Sequence, residues 1–400
     1  MRKSALYALG LVAASLVALG LVVLCSASQP NSIKWHHGNA FGFFLRQLAF
    51  VVFGIVTAAI VAKVDYRIWK NHRALTWVFY GTVFLLLFAV FPPIGHKVNG
   101  SYRWIPLGPV NLQPSEFAKL AIVIVIAVWM DRLGWKAERF LPGMVVPSLL
   151  IGGFVAPILA ETDIGSSVVV AAAGSLMMLL GGTRWLHLIV SAAVGGAGVL
   201  GVMLTNDNRM RRLAPWLREV LPPDVAGWFG IEQAAPTVVR KLSEMDSAAY
   251  QAYNSLVAIK NGGLWGVGLG QSMQKQYYLP EAHTDFVMAV GAEELGIVFS
   301  VAVIALFFLF FALSVYIGLK ASDRFGRYLA FGMGFIVFFQ AMFNLGVVCE
   351  ALPTKGMALP FFSYGGTNMI AACIAVGVIL SVGIHSYQDK KRTLRRNVCF

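Results

Sequence analysis

An all-α, polytopic membrane fold with about ten crossing helices is what this sequence predicts, and three observations carry that prediction. Of its 400 residues 58% are hydrophobic and only 13% charged, where a soluble domain carries about a quarter charged residues. Mean hydropathy is +0.70. Apolar runs close to the roughly 20 residues that cross a bilayer recur along the chain, with the basic residues mainly between them. The formal net charge of +13 therefore orients a chain in a membrane. It does not indicate nucleic acid, because no Lys/Arg stripe with interleaved exposed aromatics occurs.

Taken in order, the first run is Ala5–Leu24, behind Arg2 and Lys3. It outruns the apolar stretch of a signal peptide and further spans follow, so it reads as a retained helix. Leu45–Val64, Ala74–Phe91, Ser115–Trp129, Leu141–Ala160, Ser166–Leu180 and Leu186–Leu204 complete a first set. Phe286–Leu319, Tyr328–Val348 and Asn368–Ile384 follow a long loop. The single membrane domain thus divides into helices 1–7 (residues 1–204), a large loop (205–284), helices 8–10 (285–387) and a basic tail (388–400).

Three basic clusters test this count: Lys63, Arg67, Lys70 and Arg73; Arg132, Lys136 and Arg139; and Lys320, Arg324 and Arg327. All fall on one side, with both termini, and the positive-inside rule makes that side the cytoplasm. The loop between helices 7 and 8 is then extracytoplasmic. Its first part is basic as well (Arg209, Arg211, Arg212, Arg218), but long loops translocate largely regardless of charge. Pro222, Pro223 and Pro236 mark irregular or short helical pieces at the membrane surface. As one helix Phe286–Leu319 would run about 51 Å, past a bilayer core. It tilts, bends near Gly291 or Gly296, or begins in a wet cavity with Glu293 and Glu294. Cys25, Cys349, Cys373 and Cys399 show no paired spacing and read as small buried hydrophobes.

Several polar groups stand where hydrocarbon makes them expensive. Glu116 and Lys119 share one helix face inside a span, either as a fold-fixing ion pair or as the lining of a cavity. Asn99–Gly108 reads as an interfacial turn with an aromatic belt, leaving Arg103 available for phosphate. Glu161 and Asp163 precede a helix that Asp163 is placed to cap. The glycine-rich Asn261–Gly270 lacks the Gly-Lys-Ser/Thr ending of a phosphate loop. It suits close backbone approach or a hinge near a ligand, with Gln274 and Lys275 following. Two prolines and three glycines in Leu352–Thr367 rule out a plain helix, so this backbone lines protein or a wet cavity, with Lys355 as a further anion-binding candidate. In Leu279–Phe286, either Thr284 or Asp285 could cap the helix beginning at Phe286, and Asp285 also suits a general base.

Four motifs, Arg103-Trp104 with Gln113–Lys119, Asp163-Ile164-Gly165, Gln274–Phe286 with Glu293–Gly296, and Pro360–Gly366, make the chain resemble the SEDS family. These are the polytopic proteins of bacterial shape, elongation, division and sporulation, and the likeness runs to about Gly383. Leu352–Gly356 looks closer to the division branch than to the elongation branch. Glu161-Thr162 departs from the family's usual Gln-Pro, and Asn254 from a common Gln.

The resemblance implies a peptidoglycan glycosyltransferase that polymerises lipid II, the undecaprenyl-pyrophosphoryl disaccharide-pentapeptide, by an inverting displacement at the outer membrane face, for septal wall synthesis. Asp285 matches the essential aspartate and becomes the expected base. An ordinary Asp, with a pKa of about 3.9, is too weak a base to act without desolvation, a concerted step or a metal. Arg103, Lys119, Lys275, Lys355 and His283 are the expected substrate and pyrophosphate contacts, Lys275 and Lys355 first, with a divalent cation, Mg or Mn, as possible cofactor. Glu116, Asp163, Glu281, Glu294 and Ser363 are the expected supports. The family implies a class B penicillin-binding protein as transpeptidase partner, together with other divisome membrane proteins. A lipid II flippase, with Glu116 and Lys119 along a path, and a noncatalytic scaffold are the competing readings.

Overall fold

The computed structural model of the chain describes residues 3–35, 38–90, 96–98, 101–108, 110–161, 163–204, 247–353 and 356–398. Lys355, Cys399 and the arginines and prolines expected to shape residues 205–246 lie outside them. All ten expected spans are helical: α1 Lys3–Trp35, α2 Gly42–Lys63, α3 His72–Val90, α4 Pro114–Leu133, α5 Val146–Ala160, α6 Ile164–Leu180 and α7 Trp185–Leu204. After α8, Ser247–Gly262, come α9 Val287–Leu319, α10 Arg324–Val348 and α11 Gly366–Val398. Among the described residues seven helices are long and apolar enough to cross a membrane.

α4 is the hub. Its residues from Ala118 to Val128 are buried, and it packs against α3, α5, α6 and α10. Glu116 and Lys119 would be costly against lipid, and the protein interior is where they find partners. Gly332 of α10 makes room for this packing, since a Cβ there would lie 2.6 Å from Val123 and 2.9 Å from Met177.

One element differs from the sequence reading. The stretch around Arg103 is no interfacial turn but an antiparallel three-stranded sheet, β1 His96–Val98, β2 Ser101–Leu107 and β3 Val110–Leu112. The strands are too short for their alternation to outweigh the aromatic belt as a signal. Within the long loop, α8 forms a regular helix that packs on α9.

Of the alternatives its length left open, α9 takes the bend. Gly296 has φ 82° and ψ −179°, a conformation open to glycine alone. The glycine-rich segment docks there: Val267 and Gly268 N–H donate to the Glu293 and Glu294 carbonyls (both 3.0 Å), while Ile297 N–H donates to Gly263 O at 3.0 Å. Asn261–Gly270 thus makes its close backbone approach to a helix.

The helix ends sort onto two faces. One holds residues 38–41, the sheet, Glu161 and Asp163 between α5 and α6, and residues 263–286, 349–353 and 356–365. The other carries the basic clusters and a knot of charge: Tyr66 donates to Asp323 at 2.8 Å, Lys70 pairs with Asp131 (2.9 Å) and Asp323 (3.1 Å), and Arg67 meets Asp389 at 2.5 Å.

Candidate active site

The turn ahead of α9 is built around Glu281, which has φ 56°. Its carbonyl accepts the N–H groups of Thr284, Asp285 and Phe286 at 3.1–3.2 Å. This tight turn denies Asp285 the capping role: Phe286 holds the N-cap position without a side-chain bond, and Thr284 Oγ1 donates back to Glu281 Oε2 at 2.7 Å. Among the described residues no donor binds the Asp285 carboxylate. A carboxylate at a helix start that does not cap is left to other work.

The backbone around it is pinned from three sides. Asn344 of α10 donates through Nδ2 to the carbonyls of Asp285 (2.8 Å) and Met357 (2.6 Å). Ser363 Oγ donates to Thr284 O (2.5 Å) and accepts from Leu359 N–H (2.6 Å). Gln47, fully buried on α2, accepts from Gly365 N–H (3.1 Å) and donates to Ser363 O (3.2 Å). Loop 356–365 is thereby held over the turn, and Gly356 comes so near that a Cβ would sit 2.5 Å from Asp285 Oδ2.

The charge environment explains how this Asp acquires basicity. Burial, then the Glu281 carboxylate, push Asp285 up to about 7, with Asp163 adding to the rise and Arg103 opposing it. Desolvation and like charge are the two ordinary causes of such a rise. Arg103 comes from β2, where Ile105, two residues on and so on the same face, is buried. Glu161, at the end of α5, is pushed to about 9 by burial and then by Asp163, again against Arg103. Asp163 caps α6 as expected, accepting from Ser166 N–H (3.1 Å) and Oγ (2.8 Å). Two carboxyl groups on separate elements, Asp285 and Glu161, thus respond to one guanidinium, whose Nε is buried without a hydrogen-bond partner among the described residues.

Other expected residues lie in two buried knots. Lys119 pairs with Glu116 at 2.7 Å and donates to Gln340 Oε1 at 2.7 Å. Gln340 in turn donates to Ala358 O at 2.8 Å, so this charge supports loop 356–365 from below. Lys275 is buried, bonded to Glu294 at 2.8 Å and Ser26 at 2.7 Å. Glu293 beside it accepts from Ser272 Oγ and from Gln274 N–H. His283 faces Phe43 and Tyr364 at ring distances of 5.2 and 6.0 Å, and Asn31 Nδ2 lies 3.1 Å from its Nδ1. Burial pushes its pKa down. With the Asn31 amide as donor, the ring is neutral and carries its proton on Nε2.

Sequence reasoning missed Gln340, Asn344, Gln47 and Arg46. The first two stand four apart on an otherwise apolar stretch of α10, a spacing that puts both on one face. Arg46 lies in the second span's first turn and bonds the Tyr364 hydroxyl. For a divalent cation the donor set is chemically suitable: hard carboxylate oxygens of Asp285 and Glu281 that repel each other, and Mg²⁺ commonly takes one or two carboxylates plus substrate phosphates. No group of three or more His, Cys, Asp or Glu able to hold a metal alone occurs among the described residues.

This architecture has relatives. A protein from Geobacter sp. (strain M18) called probable peptidoglycan glycosyltransferase FtsW is 35% identical over 372 residues, covering 93% of this chain and 95% of that protein. One of the same name from Coxiella burnetii (strain RSA 493 / Nine Mile phase I) is 35% identical over 376 residues, 92% and 93% of the two chains. Among solved structures, a chain from work on coordination of polymerization and crosslinking by a peptidoglycan synthase complex superposes with TM-score 0.72 at 24% identity, covering 96% of this chain and 98% of that one. The rod shape determining protein RodA of Thermus thermophilus gives 0.64 at 24% identity, over 95% and 96%. The family model described as cell cycle protein, covering FtsW, RodA and SpoVE, matches residues 7–388, and the chain belongs to that family.

Proposed function

We propose that the chain is a peptidoglycan glycosyltransferase that polymerises lipid II at the extracytoplasmic face of the cytoplasmic membrane, with Asp285 as general base. The observation that carries this is the uncapped Asp285 carboxylate raised to about 7 on the face opposite the basic clusters. A base works best when its pKa lies near the working pH. Asp285 takes the proton of the acceptor sugar's 4-hydroxyl as that oxygen bonds to the anomeric carbon of the donor. The bond from that carbon to the pyrophosphate oxygen breaks with inversion, and the proton passes to solvent.

Charge accumulates on the leaving pyrophosphate, so cations on the same face matter most. Arg103 and Arg46 are the described side chains suited to it, with His283 Nε2–H as a neutral donor and Lys355 as a further contact. Lys119 and Lys275 act instead through the buried pairs that hold the loops. A divalent cation held by Glu281 would neutralise the pyrophosphate and leave Asp285 free to act as base. The positive-inside rule supports a cytoplasmic basic face. The relatives' name FtsW supports a septal role in division. The neighbour from a complex that couples polymerization to crosslinking supports a class B penicillin-binding protein as partner, within a larger divisome.

The test is glycan synthesis by purified protein supplied with lipid II, Mg²⁺ and the partner. Asp285→Asn should lower the rate by about 10²–10⁴-fold with unchanged unfolding temperature. Equal polymer from both proteins refutes Asp285 as base. Movement of lipid across vesicles without polymer would favour transport.

A further inference from the structure

On the basic face, far along the chain from the Asp285 turn, Trp135, Glu138, Arg139, Phe140, Arg184 and His187 line an open cavity of about 410 Å³. Its walls are preformed. The residues ahead of α5, Leu141–Val145, make one π-helical turn, a form frequent at functional sites. Trp129 Nε1 donates to Pro142 O and Thr183 Oγ1 to Gly143 O, both at 2.9 Å. Gly143 itself lies against Ala137, whose carbonyl oxygen a Cβ would meet at 1.8 Å.

The lining is cationic and aromatic. The Arg139 guanidinium lies over the Trp135 ring, 5.0 Å from its centroid. Arg184 Nη2 is 3.7 Å from Glu138 Oε2, with side chains 66% and 64% exposed, and so open a pair is weak and easily exchanged. His187 Nδ1 is buried with no hydrogen-bond partner among the described residues, its ring 5.4 Å from Phe140. Trp135 and Trp185 are 72% and 66% exposed where helices end, the position of interfacial anchors. Among the described residues α7 packs mainly on α6 and the π-helical turn, with Ser191 bonded to Ser148 of α5 at 3.1 Å, and its apolar side chains, Val190 and Val194 among them, stand exposed.

We propose that this cavity binds the phosphodiester headgroup of an anionic phospholipid, with the acyl chains against exposed apolar residues of α5 and α7. Two guanidiniums and one carboxylate leave one net positive charge for one phosphodiester. The apolar, tryptophan-bearing rim favours a lipid over a free phosphate ion. Bound lipid would bridge the α4–α5 turn to the start of α7, which few protein contacts hold.

The experiment is native mass spectrometry of the full chain in detergent, titrated with dioleoylphosphatidylglycerol and, in parallel, dioleoylphosphatidylcholine. The wild type should prefer the former, and the double variant Arg139→Ala/Arg184→Ala should bind it roughly 30-fold more weakly. Glu138→Gln, which removes the competing carboxylate, should bind roughly fivefold more tightly, a gain that misfolding does not produce. Unchanged binding by the double variant overturns the proposal, as does an equal loss in Arg73→Ala/Lys320→Ala, which alters basic-face charge outside the cavity. Displacement of the lipid by millimolar inorganic phosphate overturns it in favour of a free-anion site. None of these readouts requires glycosyl transfer, so the outcome stands apart from that of the Asp285 test.

Discussion

Replacing Gly356 by alanine should disable the base while leaving the fold in place. The three atoms nearest a new Cβ are all of Asp285: Oδ2 at 2.5 Å, Cγ at 3.3 Å and Oδ1 at 3.7 Å. Ordinary contact begins about 1 Å farther out than the first of these, so the carboxylate has to swing by about that distance. Forcing one side chain off its rotamer costs about 1 kcal/mol. Gly→Ala returns about 0.4–1 kcal/mol by restricting the unfolded chain. The two nearly cancel, and the unfolding temperature should move by no more than a few degrees. A 1 Å misplacement of a reacting group, by contrast, costs about 10²-fold in rate, or about 2.7 kcal/mol of barrier. Initial rates of glycan polymer formation, measured beside thermal unfolding in the same detergent, separate the two. A kcat within threefold of wild type refutes the reasoning, and so does a rate loss matched by a fall of about 10 °C or more.

The pH profile should follow the same group: with Asp285 at about 7, kcat should fall about tenfold per pH unit below that value and level off above it; a plateau down to pH 5 removes Asp285 as the titrating base. Lys275→Met leaves Glu294 buried without its cation and should cost about 3–5 kcal/mol, most of it restored in Lys275→Met/Glu294→Leu. A raised KM with unaltered unfolding would instead place Lys275 on substrate. Glu161 keeps its proton in the native state up to about 9, whereas the unfolded chain loses it near the ordinary carboxylate value. Its contribution to stability therefore falls as pH rises between those two limits. Glu161→Gln should raise the unfolding temperature more at pH 8 than at pH 5 and keep polymerising at pH 7; an equal shift at both pH values contradicts the raised pKa.

The helices were legible because a bilayer imposes a length and a hydropathy on each, which leaves little freedom in a chain this apolar. Asp163 as a cap could be read from its place before Ser166. Arithmetic on helix length left a tilt, a bend near Gly291 or Gly296, or a start in a wet cavity, and the structure selects the bend at Gly296. The sheet carrying Arg103 was hidden because strands of three to seven residues give too few alternations to read. The fate of Lys119 and Lys275 was not legible either: a lysine in a sequence looks the same whether it meets substrate or a buried glutamate. Their partners, Gln340 in one case and Ser26 and Glu294 in the other, come from segments distant in the chain. Local signals also favoured capping for Asp285. The turn closed by the Glu281 carbonyl, which needs a left-handed residue with no glycine to announce it, is what removes that role.

The break at Gly296 divides α9 into a short rod carrying the Asp285 turn and a longer one crossing the membrane. Because the amides of Ile297 and Val298 are answered by Gly263 and Leu264 carbonyls, the gap cannot straighten into continuous helix without expelling the 263–268 segment. The short rod, that segment and the Lys275–Glu294 pair therefore move as one piece. A pull on the chain leading into α8 would tilt this piece against the Asn344 amide of α10 that fixes Asp285, a mechanical route by which load on that loop could reach the proposed base. Hydrogen exchange at Val267 and Gly268 would report it directly, since these loop amides should be as slow as those of α9 when the piece is seated and quicken together when it is not.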